Sequence, residues 1–163
     1  MRLDRRGFRN ALGYFPTGVA VITAQSASRD PVGITVNSFT SVSLDPPLVL
    51  WCIERRSDRY ATFTEAPGFT VSILGAAHEG VSARLATPGE HRLDGIALSS
   101  TELGAPALAE ALAIFECRRE ALHEGGDHAI LLGHVLRFWH RGSGDPLVFF
   151  RGRYRTLADC EPR

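Results

Sequence analysis

The chain has 163 residues, 44% of them hydrophobic, and its 18 basic and 18 acidic side chains give a formal net charge of zero. This length suits a single domain over residues 1–163, with enough apolar residues for a core that needs no disulfide bonds. A neutral chain has no general electrostatic attraction for nucleic acid or membranes, so neither is an expected partner.

The cysteine and histidine patterns give no sign of a metal site. Cys52, Cys117 and Cys160 are far apart and lack metal-ligand spacing, and the six histidines form no His-Glu-x-x-His pattern. Two cysteines fall in strand-like segments, which indicates buried thiols in a reducing compartment. Because no signal sequence and no apolar run of membrane length occurs, we expect a cytoplasmic protein.

The first third of the chain predicts a helix and a hairpin. Apolar residues recur at helical spacing over residues 5–15 and Pro16 ends the pattern, so we expect an amphipathic helix that packs as a lid on a sheet. The β-branched run 19–24 and the alternating run 32–36 follow, separated by a short polar loop. These two runs predict paired strands.

The second strand of that hairpin continues into an unusually polar stretch that reaches Pro47. A core strand has no need of so many hydroxyl and amide groups, whereas a site for a polar ring with a phosphate needs donors from the backbone and from short side chains. An ordinary polar loop after a strand is the alternative. The polar residues are Thr35, Asn37, Ser38, Thr40, Ser41 and Ser43.

A basic loop follows the apolar run 48–53, which predicts a central strand buried on both faces. Ser57 is placed to cap a short helix over residues 58–65. A strand end, several Arg side chains and a helix N-terminus together favour an anion, so the loop is a candidate phosphate site; a solvated basic turn is the alternative. The residues of the loop are Glu54, Arg55, Arg56, Ser57, Asp58 and Arg59.

The remaining segments predict more strands than helices. We expect a strand over 68–74, a helix over 76–86, a long excursion over 87–106 with one short strand at 96–99, two long strands at 113–122 and 128–140, and a last pair at 147–150 and 153–156. Many short strands with hairpin connections and few helices predict a mainly β fold, an antiparallel barrel with helices at its ends. A parallel nucleotide-binding sheet is not expected, because the chain has no Gly-x-Gly-x-x-Gly.

Few residues stand out as catalytic. There is no Gly-x-Ser-x-Gly and no paired acid. His128 follows Gly125-Gly126-Asp127 at a strand start, where the backbone is open and a ligand could approach; a surface histidine is the alternative. Tyr154 could be either a ligand contact or a core aromatic with its hydroxyl at the edge.

Several motifs occur in order along nearly the whole chain, from Phe8 to Leu157. The first half contains Phe8-Arg9-x-Ala11-Leu12, Pro16-Thr17-Gly18-Val19-x-Val21-Ile22-Thr23 and Gly33-x-Thr35-x-Asn37-Ser38-Phe39-x-Ser41-Val42-Ser43-x-x-Pro46-Pro47-Leu48-Val49. The second half contains Gly126-Asp127-His128-x-Ile130-x-x-Gly133-x-Val135 and Pro146-Leu147-x-Phe149-x-x-Gly152-x-Tyr154. Together they resemble the short-chain flavin reductases.

The resemblance implies an antiparallel split β-barrel of the FMN-binding type, usually a homodimer, that transfers hydride from NADH or NADPH to FMN or FAD. Many members supply reduced flavin to a separate monooxygenase, so such a partner is expected. The cofactors themselves provide the reactivity, so no acid-base dyad is required. Alternatives are an electron-transfer module with tightly held FMN, a split-barrel oxidase of the pyridoxine-phosphate type, and a non-catalytic interaction protein.

The resemblance also implies roles for individual residues. Residues 35–38 would lie along the isoalloxazine and ribityl, largely through backbone groups, and the 55–59 loop would hold the phosphate. His128 is the catalytic candidate, beside the nicotinamide nucleotide, and Leu85 stands where the family has Phe. The flavin contacts implied are Thr35, Val36, Asn37, Ser38, Ser41, Cys52, Arg55, Arg56, Ser57, Arg59, Ser82 and Arg84, and the nicotinamide contacts implied are Arg151, Gly152 and Tyr154.

Overall fold

The computed structural model describes residues 3–25, 28 and 30–157, which build a mainly β architecture, as predicted. Cys160 lies outside the described residues. The helices are α1 (Arg5–Leu12), α2 (Tyr60–Glu65) and α3 (Glu79–Ala86), the last preceded by a 3₁₀ turn at Ala76–His78. The strands are β1 (Thr17–Gly18), β2 (Ala20–Gln25), β3 (Pro31–Val36), β4 (Thr40–Leu44), β5 (Pro47–Glu54), β6 (Gly68–Ile73), β7 (Leu98–Ser99), β8 (Ala107–Leu108), β9 (Ala113–Gly125), β10 (His128–His140), β11 (Val148–Phe150) and β12 (Arg153–Arg155).

Seven strands form the main antiparallel sheet, in the order β3-β2-β6-β9-β10-β5-β4, which makes the split barrel. A smaller sheet has the order β1-β11-β12, and β7 pairs with β8. Hairpins join β2 to β3 and β9 to β10, as the sequence predicted. The short strands β1, β4 and β8 lie in segments where the sequence predicted turns or loops.

The helix α1 does not cover the sheet, which corrects the lid prediction. It begins after Asp4, whose carboxylate accepts the amide hydrogens of Arg6 and Gly7, and it ends at Leu12, earlier than predicted. None of its residues is buried. Its C-terminal end is attached through a hydrogen bond from the amide of Arg151 to the carbonyl oxygen of Gly13.

The strand β5 is buried on one face only, which corrects the prediction of burial on both. Val49, Trp51 and Ile53 point into the core, whereas Leu48, Leu50 and Cys52 are half-buried. In the sheet β5 lies second from the edge, between β10 and the edge strand β4. The half-buried face of β5 is thus available to line a cleft.

Two apolar clusters hold the layers together. In the barrel interior the fully buried indole of Trp51 packs edge-on against Phe63 of α2, at 5.2 Å, and Phe69 of β6, at 5.7 Å. A second cluster, which includes Leu74, Leu85 and Leu147, joins α3 to the small sheet. The second cluster determines where β11 and β12 lie relative to the barrel.

The hairpin of β9 and β10 extends beyond the rest of the sheet. β5 pairs with β10 only as far as His134, so the second half of β10 has β9 as its partner and a free edge on the other side. Leu136, Phe138 and Trp139 lie on this part and are exposed. None of the helices in the described part of the chain is long and apolar enough to cross a membrane.

Candidate functional site

A cleft of about 430 Å³ opens where the end of β3 faces the end of β5. Three segments that are distant in sequence meet there: residues 34–38, residues 52–59 and the start of β10. The loop after α3 forms the remaining side. The lining residues are Ile34, Thr35, Val36, Asn37, Ser38, Cys52, Ile53, Glu54, Arg56, Ser57, Asp58, Arg59, Ala86, Pro88 and His128.

The hydroxyl of Ser38 joins the two strands that border the cleft. It accepts the amide hydrogen of Cys52 at 2.9 Å and lies 3.2 Å from the carbonyl oxygen of the same residue, to which it can donate. The Ser38 hydroxyl therefore bonds the backbone of Cys52 in the way that the backbone of a neighbouring strand would. The hydroxyl of Ser38 has thus no hydrogen left to donate to a ligand, and the donor that remains on this residue is its backbone amide.

Cys52 presents a neutral thiol to the cleft. Burial raises the pKa of the Cys52 thiol, and the hydrogen bond with Ser38 opposes this only in part. A protonated thiol is a poor nucleophile and adds no negative charge beside a bound ring. Cys52 is therefore suited to contact a ligand by packing, not by covalent chemistry.

Thr35 and Ser82 are connected beneath the cleft. The hydroxyl of Thr35 donates to the carbonyl oxygen of Ser82 at 2.7 Å. The side chain of Ser82 is fully buried, and its hydroxyl lies 2.8 Å from the hydroxyl of Tyr154. The structure thus brings Ser82 close to Thr35 and Tyr154 but does not expose it to the cleft.

The three Arg side chains of the basic loop have different environments. Arg55 donates to the carbonyl oxygen of Gly126 and forms a 2.8 Å ion pair with Glu124, so it is held at the β9–β10 turn. Arg59 is only 4% exposed. No described residue forms a hydrogen bond or ion pair with the guanidinium of Arg56, which is exposed at the cleft. Arg56 is therefore the cation that an anionic ligand can reach.

Ser57 caps the turn that precedes α2, and the helix begins two residues later than the sequence predicted. Its hydroxyl accepts the amide hydrogen of Arg59 at 3.2 Å, and the helix itself begins at Tyr60. Ser57 lines the cleft next to Arg56. A hydroxyl and a guanidinium thus lie side by side at one end of the cleft.

His128 is the first residue of β10 and lines the cleft, where it pairs with Glu54 at the end of β5. Its Nδ1 is 2.8 Å from the carboxylate of Asp127, and its side chain is 44% exposed. This contact lowers the pKa of Asp127, first through the hydrogen bond and then through the charge of His128. Asp127 fixes the ring so that Nε2 is the nitrogen left for a ligand.

Arg151 and Gly152 form the turn between β11 and β12, and both have positive φ angles, 52° and 74°. A two-residue loop in which both residues have positive φ is the hairpin turn that matches the twist of the strands. Glycine at position 152 adopts such an angle without steric cost. The guanidinium of Arg151 lies over the ring of Tyr14, 4.8 Å from its centroid. The turn therefore holds the chain after α1.

A larger groove of about 1110 Å³ lies between α1 and the barrel and meets the cleft at Asn37 and Ser38. Arg151 and Gly152 line this groove and not the cleft itself. Tyr154 lines a third cavity, of about 150 Å³, with Phe149 and Val19. This small cavity shares Thr35, Val36, Asn37 and Ala86 with the cleft, so the two are continuous.

Besides Arg55, Ser82, Arg151, Gly152 and Tyr154, two further predicted site residues lie outside the lining of the cleft. Ser41 lies in β4 opposite Val49 and outside the lining. The two terminal nitrogens of Arg84 donate to the carbonyl oxygens of Asp94 and Arg92, away from the cleft. Sequence reasoning missed Ala86, Pro88 and Phe149 as lining residues, because their apolar side chains carry no chemical signal in the sequence.

The composition of the cleft favours a ring with a phosphate over a metal or a hydrolytic reaction. Its walls combine apolar side chains and neutral donors with the carboxylates of Glu54 and Asp58, and Arg56 is the lining cation that has no partner among the described residues. Within the described ranges, no three acidic, histidine or cysteine side chains are grouped to hold a metal ion. The donors therefore fit an aromatic heterocycle whose phosphate reaches Arg56 and Ser57.

Comparisons with known proteins agree with this geometry. A family model described as "Flavin reductase like domain" matches residues 12–158. FMN reductase (NADH) SmoA of Agrobacterium fabrum is 48% identical over 155 residues, which cover 95% of this chain and 87% of the relative. The flavin-dependent monooxygenase reductase subunit HsaB of Rhodococcus jostii is 36% identical, with 95% and 79% covered.

Solved structures include one with the same fold and bound nucleotides. The Streptomyces globisporus NADH:FAD oxidoreductase SgcE6, in complex with NAD and FAD fragments, superimposes with a TM-score of 0.90 at 39% sequence identity. The superposition covers 97% of this chain and 98% of that one. The barrel, the small sheet and the helices are thus shared over nearly the whole length.

Proposed function

This chain belongs to the family of flavin reductase-like domains, as its motifs predicted, and we propose that its reaction takes place in the cleft between β3 and β5. The protein is an NAD(P)H-dependent flavin reductase whose cofactors are FMN or FAD and NADH or NADPH. The observation that supports the assignment to this cleft is the convergence of residues 35–38, the Arg56-Ser57 corner and His128 on one space. Residues 1–163 act as a single unit in this proposal.

The floor of the cleft fits the flavin ring. Ile34 and Cys52 give it half-buried apolar side chains, and the chain leaves the β2–β3 ladder after Val36. The peptide groups of Asn37 and Ser38 lie beyond that last pair and provide hydrogen-bond donors for the polar edge of the ring. Donors that already point at the part of the ring where negative charge develops lower the barrier to hydride transfer, because the protein does not need to rearrange during the reaction.

The phosphate end of the cleft is the corner formed by Arg56 and Ser57. A guanidinium and a hydroxyl suit a phosphate, and Arg56 has no competing partner among the described residues. Arg55 and Arg59, by contrast, are occupied by Glu124 and by backbone carbonyl groups. We therefore assign the phosphate to Arg56 and not to the whole 55–59 loop.

His128 and the small cavity at Tyr154 form the nicotinamide side of this proposal. When bound, the two cofactors supply the hydride chemistry themselves. The protein needs to hold their rings next to each other in a reactive orientation and to exclude water. His128, oriented by Asp127, contacts the dinucleotide through its imidazole. Tyr154 and Phe149 form walls of the small cavity that is continuous with the cleft, and their rings pack edge-on with centroids 5.7 Å apart.

We further propose that reduced flavin passes to a separate flavin-dependent monooxygenase. Support comes from relatives such as HsaB, which is named as a monooxygenase reductase subunit. In this proposal a single cation, Arg56, holds the phosphate. So few charged contacts suit a flavin that leaves after reduction. The cytoplasmic location predicted from the sequence is part of the same proposal, and Cys52 and Cys117 are free thiols, in keeping with it.

A homodimer is also proposed, on the basis of exposed apolar side chains. Phe8, Leu12 and Phe15 are exposed on and after α1, with Phe15 at 76%, and Phe138 and Trp139 are exposed on β10. Large apolar groups left in water favour a partner surface. A second copy that covered the groove under α1 would also border the cleft at Asn37 and Ser38.

The test is to titrate the purified protein with FMN and FAD and then to follow anaerobic oxidation of NADH and of NADPH. The proposal expects dinucleotide oxidation that depends on added free flavin. Flavin binding without such oxidation would favour the electron-transfer module, and absence of flavin binding would leave only an interaction protein.

A further inference from the structure

The hydrogen bond between Ser82 and Tyr154 connects two parts of the fold that share no strand pairing. Ser82 lies in α3, which packs on β3 of the barrel, and Tyr154 lies in β12 at the end of the small sheet. The two hydroxyl oxygens are 2.8 Å apart. Within the described part of the chain, β12 pairs with β11 alone, so strand pairing does not hold it against α3.

The environment of this pair indicates that the contact is specific. Ser82 is fully buried, and its carbonyl oxygen is also used, since it accepts from the hydroxyl of Thr35 at 2.7 Å. Loss of the Tyr154 hydroxyl would leave the buried hydroxyl of Ser82 without this hydrogen bond, which is costly. The chain Thr35, Ser82, Tyr154 thus joins β3, α3 and β12 in one network.

This network lies directly behind the cleft. Thr35 lines the cleft and the small cavity, and the ring of Tyr154 is one wall of that cavity. Phe149, in register with Tyr154 across the β11–β12 pair, forms the adjoining wall. A shift of β12 away from α3 would therefore widen the small cavity and leave the strand β3 in place.

We propose that Ser82 is a positioning residue for the nicotinamide end of the cleft: it fixes the ring of Tyr154 against α3 and does not touch the flavin. The inference rests on the proposed function, which places the dinucleotide at this end. It differs from the role implied by the resemblance, in which Ser82 contacts the flavin. The buried hydroxyl accounts for the difference, because its contact is with Tyr154 and not with the cleft.

The experiment compares three variants that each remove a hydroxyl: Ser82→Ala, Tyr154→Phe, which keeps the ring, and the double variant. Two quantities are measured: the Kd for FMN by fluorescence titration, and the Kd for NAD⁺ by calorimetry on the flavin-loaded protein, with KM for NADH alongside. Thr70→Val is the matched control, because Thr70 is equally buried and donates at 2.7 Å to the carbonyl oxygen of Ala105, outside the site.

Each single variant is expected to weaken NAD⁺ binding about fivefold, as for the loss of one neutral hydrogen bond, with the FMN Kd unchanged. The double variant should be no weaker than the singles, because all three remove the same bond. Thr70→Val should lower the Tm but leave both Kd values unchanged.

Two results would overturn the inference. Weaker FMN binding by Ser82→Ala with unchanged NAD⁺ binding would make Ser82 a flavin contact. A lower Tm with both Kd values unchanged, as for Thr70→Val, would make the bond merely structural. If the wild-type protein oxidised neither dinucleotide, the proposed function itself would fail, which is a separate outcome.

Discussion

The guanidinium of Arg59 donates a 2.7 Å hydrogen bond to the carbonyl oxygen of Leu85, the last buried residue of α3. A second bond, 2.6 Å long, goes to the carbonyl oxygen of Thr87, the residue after the helix. The carbonyl groups at a helix C-terminus have no partner within the helix, so a buried cation is well placed to satisfy them. Arg59 thus supports the wall of the cleft that Ala86 and Pro88 form.

Replacement of Arg59 is expected to destabilise the fold more than to weaken flavin binding. Arg59→Met keeps an unbranched apolar stem but leaves two carbonyl groups without donors, which we expect to lower the free energy of unfolding by about 2–4 kcal/mol. Urea unfolding followed by tryptophan fluorescence measures this. Arg56→Met, which changes an exposed residue, is the control and should unfold like the wild type.

Replacement of Arg56 is expected to have the opposite effect. Arg56→Gln should raise the Kd for FMN about tenfold, because it removes a charge-assisted contact with the phosphate. The Kd for riboflavin, which has no phosphate, should not change. Arg84→Gln is the matched control, since that guanidinium points to the carbonyl oxygens of Arg92 and Asp94. Equal losses for FMN and riboflavin would remove Arg56 from the phosphate site.

His128→Ala is expected to weaken the use of NADH more than the binding of flavin. The imidazole lies at the rim of the cleft and its orientation depends on Asp127, so Asp127→Asn should give a smaller change in the same direction. Steady-state kinetics with NADH and a separate flavin titration distinguish the two steps. An unchanged rate and KM for NADH would exclude His128 from the site.

The stability of the protein is expected to fall at alkaline pH because of Cys117. Burial raises the pKa of this thiol from its ordinary value near 9 to about 12, and the charge of Glu116 adds to the shift. The folded state therefore holds the proton more tightly than the unfolded chain. Its contribution to stability is complete below pH 9 and is lost as the pH rises towards 12.

The measurement is the midpoint of urea unfolding between pH 8 and pH 10.5, with a reducing agent present. Cys117→Ala should be less stable at neutral pH, because it leaves a cavity, but its midpoint should fall less steeply with pH. The chain contains no lysine, which removes the main competing titration in this range. Parallel pH profiles for both proteins would contradict the assignment.

The proposed homodimer predicts that charged substitutions on α1 and just after it change the assembly without unfolding the chain. Leu12→Glu and Phe15→Glu alter side chains that are 60% and 76% exposed, so the fold of one copy has little to lose. Sedimentation velocity should show a dimer for the wild type and a smaller species for these variants. A wild-type monomer at micromolar concentration would contradict the proposal.

The strands and their order along the chain could largely be predicted from the sequence. The alternation at 32–36 and the long strand-like segments at 113–122 and 128–140 predicted β3, β9 and β10 within a few residues, because side-chain period 2 is a local property. The edge strand β4 was missed, since its residues are mostly exposed and its alternation contains only two apolar side chains, Val42 and Leu44. The exposure of α1 could not be predicted either, because an apolar stripe does not reveal what covers it.

The sequence by itself determined the fold class, the family and the set of polar residues from which the site is built, because these depend on residue types and their order. Tertiary structure alone decided which of them have groups left for a ligand. Arg55, Arg56 and Arg59 look alike in the sequence, yet one is paired with Glu124, one is buried against carbonyl groups and one is free at the cleft. A hydrogen-bond donor serves a ligand only when no other part of the chain already uses it, and that depends on contacts between residues far apart in sequence.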